Sequence, residues 1–127
     1  FLKMANYRGF RDLKVYQLSF RLAVEIFELS KHFPKEERYS LTDQIRRASR
    51  SVPTNISEAW SKRRYPKQFV FKLTDSDGEA AETTVWLDFS LNHKYISQET
   101  HNYFIEKYHE VGKMLGSMIQ HPEKFCY

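Results

Sequence analysis

Apolar residues recur every three or four positions along most of this chain, which is the spacing of amphipathic helices. Four such segments are separated by short stretches that are polar or contain proline. They predict helices at about residues 12–32, 41–64, 66–92 and 98–120. Because short connections place consecutive helices side by side in opposite directions, we predict an all-α protein folded as an antiparallel up-down-up-down four-helix bundle.

The bundle is predicted to occupy residues 12–121 of the 127-residue chain. Residues 1–11 lack helical periodicity and predict an N-terminal arm. Pro122 ends the last helical segment, so residues 122–127 are predicted to form a tail. The chain is long enough to form one domain with its own core.

The first predicted helix carries two adjacent apolar stripes. They consist of Leu13, Tyr16, Phe20, Ala23 and Phe27, and of Val15, Leu18, Leu22, Ile26 and Leu29. A helix that packs against two bundle neighbours needs a wide apolar arc. We interpret any surplus as a surface for contact between subunits.

The second predicted helix has a capping pattern at its start and a proline inside it. Ser40 and Asp43 form the Ser-x-x-Asp pattern of a helix N-terminus. Pro53 has no backbone N–H, so we predict that the helix is kinked there. We expect the Asn55 side chain to bond the carbonyl that Pro53 leaves unpaired.

The third predicted helix has small residues in the middle of its apolar stripe, and it contains Gly78. Glycine inside a helix costs about 1 kcal/mol relative to alanine, so Gly78 indicates a close contact or a local bend. Trp60 and Trp86 are expected to anchor the core or an interface.

Composition narrows the function classes. With 41% hydrophobic and 16% aromatic residues, the chain is too apolar to be disordered. Its net charge of +4 permits contact with nucleic acid without requiring it. The single cysteine, Cys126, cannot form an internal disulfide, which favours the cytoplasm, and no apolar run is long enough to span a membrane.

Positive and negative charges are separated along the chain. Residues 35–72 hold 10 Lys or Arg and 4 Asp or Glu, whereas residues 73–110 hold 2 and 8. In one interpretation the basic second helix and the acidic third helix neutralise each other within a subunit. In the other, the basic edge of one subunit meets the acidic edge of the next in a heterologous contact. The sequence leaves both open.

The basic residues divide into two candidate groups. The arginines of the second helix are expected to pair with acidic residues, within a subunit or across an interface, because buried charges need partners. That set, with a neighbouring aromatic residue, is Arg46, Arg47, Arg50, Glu58, Asp75, Glu79, Glu82 and Trp86. Residues at and after the end of the second helix are the candidates for nucleic-acid contact. They are Lys62, Arg63, Arg64, Lys67 and Lys72, with Tyr65 positioned to stack on a base.

Catalytic and metal-binding patterns are weak. Glu106-x-x-His109 occurs once, opposite the apolar stripe of the fourth helix, and Asp75, Asp77 and Glu79 resemble only the start of a calcium loop. The sequence has no glycine-rich phosphate loop and no nucleophile elbow. We therefore expect no enzyme activity, cofactor, metal site or small-molecule substrate.

Several motifs taken together resemble a known family. They are RDLxVY, FPKEERYxLxxQIRRA, SVPxNIxEA, DSDGEAAET, VWLDFS and HPEKFC, and the match as a whole spans Phe10 to Cys126. The chain resembles the four-helix-bundle proteins encoded in intervening sequences of bacterial 23S ribosomal RNA genes. It departs from the family pattern at Ala59 and Lys94, where glycine is common, so a helix end could shift at either position.

The resemblance implies a left-handed four-helix bundle that assembles as a ring-shaped homopentamer. The family is similar in fold to an accessory protein of diversity-generating retroelements, a basic pentamer that binds nucleic acid. No enzymatic activity is attached to it. The resemblance favours a non-enzymatic homo-oligomeric scaffold or adaptor. The alternative is a protein that binds nucleic acid, either structured RNA or an RNA–protein complex, through the basic second helix.

Overall fold

The computed structural model describes residues 7–127, and all of its regular structure in that range is helical. The four long helices are α1 (Lys14–Ser30), α2 (Leu41–Trp60), α3 (Pro66–Asn92) and α4 (Gln98–Gln120). Short 3₁₀ turns lie before α1, between α1 and α2, and after α4, at Phe10–Asp12, Lys35–Glu37 and Pro122–Lys124. Most of the predicted N-terminal arm, residues 1–6, lies outside the described residues.

Each helix packs against its neighbours in sequence, and α1 also packs against α4. This arrangement confirms the predicted fold class, an all-α bundle with antiparallel neighbours. All four helices contribute side chains that are fully removed from water, among them Leu22, Ile26, Ile45, Val52, Leu73, Leu87, Val111 and Leu115. The core therefore lies on the common axis of the bundle, as periodic apolar stripes require.

Helix α1 begins two residues later than predicted. Leu13, not Asp12, occupies the N-cap position, and it makes no side-chain cap. The Asp12 carboxylate instead accepts a hydrogen bond from the backbone N–H of Arg8, at 2.7 Å. Asp12 therefore belongs to the turn that precedes α1.

The start of α2 uses a different capping group from the one predicted. The Ser40 hydroxyl donates to Glu37 Oε1 at 2.6 Å, and the backbone N–H of Leu41 donates to the same oxygen at 3.3 Å. The Ser40 side chain caps no backbone N–H of α2, so the predicted Ser40 and Asp43 pattern is wrong. A carboxylate from the preceding turn takes its place, since a charged acceptor forms the stronger hydrogen bond.

Helix α2 ends at Trp60, whereas the sequence predicted an end near Arg64. Residues 61–64 form a turn, and Tyr65 leaves the helical region with φ −121° and ψ 89°. Tyr65 precedes Pro66, and a residue before proline avoids the helical conformation for steric reasons. Pro66 then begins α3, where its missing N–H is tolerated.

The middle of α2 runs continuously through the buried residue Pro53. The Asn55 amide donates to the carbonyl of Ser51 at 2.9 Å. It was expected to reach the carbonyl that proline leaves unpaired, that of Ser49 four residues before it, so the predicted partner is wrong. The kink at Pro53 stays a prediction.

Lys94, one of the two departures from the family pattern, has φ 65°. This is the left-handed region, which glycine occupies at the lowest cost. The backbone N–H of Lys94 donates to the carbonyl of Leu91 at 2.9 Å. Lysine therefore accepts a strained conformation and still closes the end of α3.

Candidate functional surfaces

Arg47 of α2 joins the outer edge of α3 in a contact that we call the α2–α3 seam. Its guanidinium lies 3.4 Å from Glu79 Oε1 and also donates to Glu82 Oε2. The same Glu82 oxygen accepts a hydrogen bond from the indole N–H of Trp86, at 3.1 Å. Four of the sequence candidates thus meet within one subunit, which is the neutralising arrangement for Arg47.

A second ion pair lies farther along the same two helices. Lys72 Nζ is 2.9 Å from Glu58 Oε1 and 3.7 Å from Asp75 Oδ2. The hydrogen bond to Glu58 raises the pKa of Lys72. Lys72 was a candidate for nucleic-acid contact, but two carboxylates already offset its charge.

Arg46 faces the other way, toward the end of α1. Its Nε donates to Ser30 Oγ at 2.7 Å, its Nη2 donates to the Phe27 carbonyl at 3.4 Å, and its guanidinium lies 4.4 Å from the centre of the Phe27 ring. A cation at a helix C-terminus satisfies exposed carbonyls and complements the helix dipole. Among the described residues of one chain, a helix end and an aromatic ring contact Arg46 in place of a carboxylate, and a carboxylate partner across an interface stays a prediction.

Arg50 is exposed and makes no ion pair within residues 7–127. Its guanidinium lies 5.3 Å from the centre of the Phe27 ring, on the same aromatic side chain that Arg46 covers. The three arginines of α2 were expected to behave alike, but one is ion-paired, one caps a helix and one is available to an outside group.

An apolar groove of about 510 Å³ runs between α1 and α2 beside Arg50. Tyr16, Phe20, Val24 and Phe27 of α1 line it, with Pro53 of α2 at its floor and Arg11 and Arg50 also in its lining. About half of the surface of Phe20 and of Val24 is exposed, 51% and 50%. This groove corresponds to the surplus apolar surface of the first predicted helix.

A second apolar surface lies on the side of α3 that faces away from the core, and we call it the outer stripe of α3. It consists of Phe71, Gly78, Val85 and Phe89, whose aromatic and valine side chains are 68%, 47% and 47% exposed. A Cβ placed on Gly78 would meet nothing within 4 Å. The close contact inferred for Gly78 is therefore not one within this chain. Helical spacing in the sequence places Phe71 and Phe89 on one face of this helix, and the seven-residue spacing from Phe71 through Gly78 to Val85 adds the other two residues of the stripe.

The turn between α2 and α3 presents what we call the basic corner, formed by Lys62, Arg64, Tyr65 and Lys67. These four residues are exposed. Arg63 differs, because its guanidinium lies 3.9 Å from the Trp60 ring centre and its Nε donates to the Trp60 carbonyl at 3.0 Å. Arg63 therefore packs against the core edge, while its neighbours reach into solvent.

Comparison with known protein families shows to which family the chain belongs. The model of the family described as "23S rRNA-intervening sequence protein" matches residues 11–117. The chain belongs to this family. A search among curated proteins gave no match.

A solved structure shares the fold of this chain. It is a protein of unknown function from the S23 ribosomal protein family of Bacteroides thetaiotaomicron, with 31% sequence identity and a TM-score of 0.75. The similarity covers 84% of this chain and 98% of that one. The seam, the basic corner and the outer stripe all lie inside the region that the family model matches.

The candidate catalytic and metal-binding groups form no cluster within residues 7–127. Glu106 and His109 are exposed on α4. Within residues 7–127 no three His, Cys, Asp or Glu side chains are grouped to hold a metal ion, and no helix in that range is long and apolar enough to cross a membrane. Burial raises the pKa of the Cys126 thiol, which disfavours the reactive thiolate.

Proposed function

We propose that this protein is a non-enzymatic scaffold or adaptor that works as a homo-oligomer, of the ring-shaped pentameric kind that the family resemblance implies. The observation that carries the proposal is apolar surface exposed on two sides of the bundle, by Phe20 and Val24 on α1 and by Phe71, Val85 and Phe89 on α3. Extended exposed apolar surface on a globular domain marks a contact site. Covering it removes that area from water, which favours association.

Sedimentation velocity over a range of micromolar concentrations tests the proposal at about 0.15 M salt, where surface charge is strongly screened. We expect a species several times the monomer mass of 15.3 kDa, and about 77 kDa for a pentamer, which is five times that mass. A monomer at every concentration would overturn the proposal.

The basic corner supports nucleic-acid binding as a second candidate function. Lys62, Arg64 and Lys67 are exposed cations without ion pairs in the described range, and Tyr65 is 55% exposed beside them. Cations that contact phosphates release counterions, and an exposed aromatic ring can stack on a base. In a ring of several copies these corners would add up to a strong positive field.

Fluorescence anisotropy with a labelled RNA hairpin tests this second function. We expect affinity to fall steeply with salt, and the Lys62→Glu/Lys67→Glu variant to bind at least about tenfold more weakly at low salt. The matched control is Lys14→Glu/Lys113→Glu, which makes the same charge change at exposed positions on α1 and α4. Equal weakening by both variants would show a response to net charge alone and would remove the basic corner as the site. Arg63 is left unchanged because it packs on Trp60.

A further inference from the structure

We propose that the outer stripe of α3 from one copy docks into the apolar groove between α1 and α2 of the next copy. This inference rests on the proposed homo-oligomer and names the contact that builds it. Neither surface covers the other within a chain, since the groove is lined by residues of α1, α2 and the turn before α1. Each surface is therefore open on every copy.

The two surfaces fit each other in shape. The groove is concave and apolar, whereas the stripe is a convex helix edge from which Val85 and Phe89 project one turn apart. Gly78 lies two turns before Val85, where its missing side chain lets a facing helix approach closely. Because no contact within the chain needs that glycine, a partner in this position gives it a physical reason.

The two surfaces are also opposite in charge. Arg11 and Arg50 lie in the groove, and neither makes an ion pair within residues 7–127. Helix α3 carries five Asp or Glu and no Lys or Arg from Leu73 to Asn92. Asp75 and Glu82 flank the stripe at helical spacing, and Lys72 and Arg47 of the same chain contact them as well. Complementary charges of this kind orient a contact and suppress wrong pairings.

Charge also selects the symmetry of the contact. A groove-to-groove pair would bring arginines of two copies together, and a stripe-to-stripe pair would bring carboxylates together, both of which are repulsive. A groove that receives a stripe joins two different surfaces, so a docked pair still has one free groove on one copy and one free stripe on the other. Such a heterologous contact closes into a ring or continues as a filament.

A single-stranded nucleic acid is the other occupant that an aromatic groove with arginines could hold, through base stacking and phosphate contacts. That occupant would leave the stripe of α3 exposed and Gly78 without a reason. A second copy accounts for both surfaces at once, so the observations favour it.

Complementation between two blocked variants tests the inference. Val24→Glu places an acid in the groove, and Val85→Lys places a cation on the stripe, both at half-exposed positions that the fold tolerates. We expect each variant alone to dissociate to monomers where the wild type is assembled, with affinity reduced about tenfold or more. An equal mixture should associate again, because one intact groove and one intact stripe remain and the introduced Glu and Lys attract each other. Gln120→Glu and Ser117→Lys, exposed on α4, are the charge-matched controls and should assemble like the wild type.

The outcomes separate the inference from the function on which it rests. A monomeric wild type overturns both. An assembled wild type whose two variants also assemble overturns only the docking mode, as does a mixture that stays monomeric. If Val24→Glu stays assembled but no longer binds a labelled single-stranded RNA, the groove holds nucleic acid and the inference is wrong. Circular dichroism melting of both variants verifies that they are folded.

Discussion

The α2–α3 seam and the apolar groove lie on opposite flanks of α2, and they differ in how completely the chain satisfies them. In the seam, Arg47 meets two carboxylates and Glu82 meets Trp86. In the groove, Arg50 lies less than one helical turn away, yet it faces only an aromatic ring and solvent. The seam is therefore complete within one copy, whereas the groove presents apolar area and charge that an outside partner would satisfy.

The largest expected effect is the difference in stability between a core substitution and a surface substitution on α3. Leu73 is 0% exposed, whereas Phe71 two residues earlier is 68% exposed. We expect Leu73→Ala to lower the free energy of unfolding by about 2–5 kcal/mol, since it removes buried methyl groups and leaves a cavity. Phe71→Ala should change it by less than about 1 kcal/mol, as an exposed substitution does. Urea unfolding at a protein concentration at which the chain is monomeric measures both, and equal losses would contradict the assignment of Phe71 to an outer surface.

A smaller effect should come from the buried hydroxyl that bridges α2 and α3. Ser76 Oγ, fully buried, donates to the carbonyl of Val52 at 2.8 Å. We expect Ser76→Ala to cost about 1 kcal/mol, the net value of one internal hydrogen bond. Thr74→Ala is the matched control, because its exposed hydroxyl bonds only the Val70 carbonyl of its own helix. If thermal melting shows equal losses, the cross-helix bond does not stabilise the fold.

Substituting Arg47 or Arg50 compares how much a seam side chain and a groove side chain contribute to the free energy of unfolding. We expect Arg47→Ala to lower the unfolding free energy by a few tenths to about 1 kcal/mol, because the ion pairs of a half-exposed side chain are partly screened. In the monomer, Arg50→Ala should leave it unchanged within about 0.5 kcal/mol, since no carboxylate of its own chain is lost. A double-mutant cycle of Arg47→Ala with Glu82→Ala isolates the pair. A coupling energy near zero would mean that the Arg47–Glu82 pair does not stabilise the fold.

The sequence predicts the fold well because periodicity averages over many residues. Four long segments with apolar residues at helical spacing define four helices, and no single residue decides the outcome. Helix ends are different, because each depends on one or two contacts. Glu37 from the preceding turn supplies the cap that Ser40 was expected to supply, and a pattern confined to the helix does not contain that contact.

The candidate sites are harder to predict, because adjacent residues on a helix point about 100° apart. Arg46 and Arg47 are neighbours in sequence, but one faces the end of α1 and the other faces α3. Which arginine meets a carboxylate depends on the rotation of α2 about its axis, and that rotation is fixed only by packing.

The smallest expected effect is a change in how stability depends on pH, and it concerns Glu37 in the turn before α2. Hydrogen bonds from the hydroxyls of Ser40 and Tyr95, the latter at 2.8 Å, lower the pKa of Glu37 in the folded protein. The pKa of a glutamate in the unfolded chain is about 4.3. The charged form therefore stabilises the fold above that pH, and this contribution is lost as the pH falls through the lower folded pKa. We expect Glu37→Gln to lose less stability than the wild type between about pH 5 and pH 3. Glu36→Gln, at an exposed neighbour, is the control and should retain the wild-type pH profile. If chemical denaturation shows that the unfolding free energy of the wild type and of Glu37→Gln falls equally with acid, the charge of Glu37 does not stabilise the start of α2.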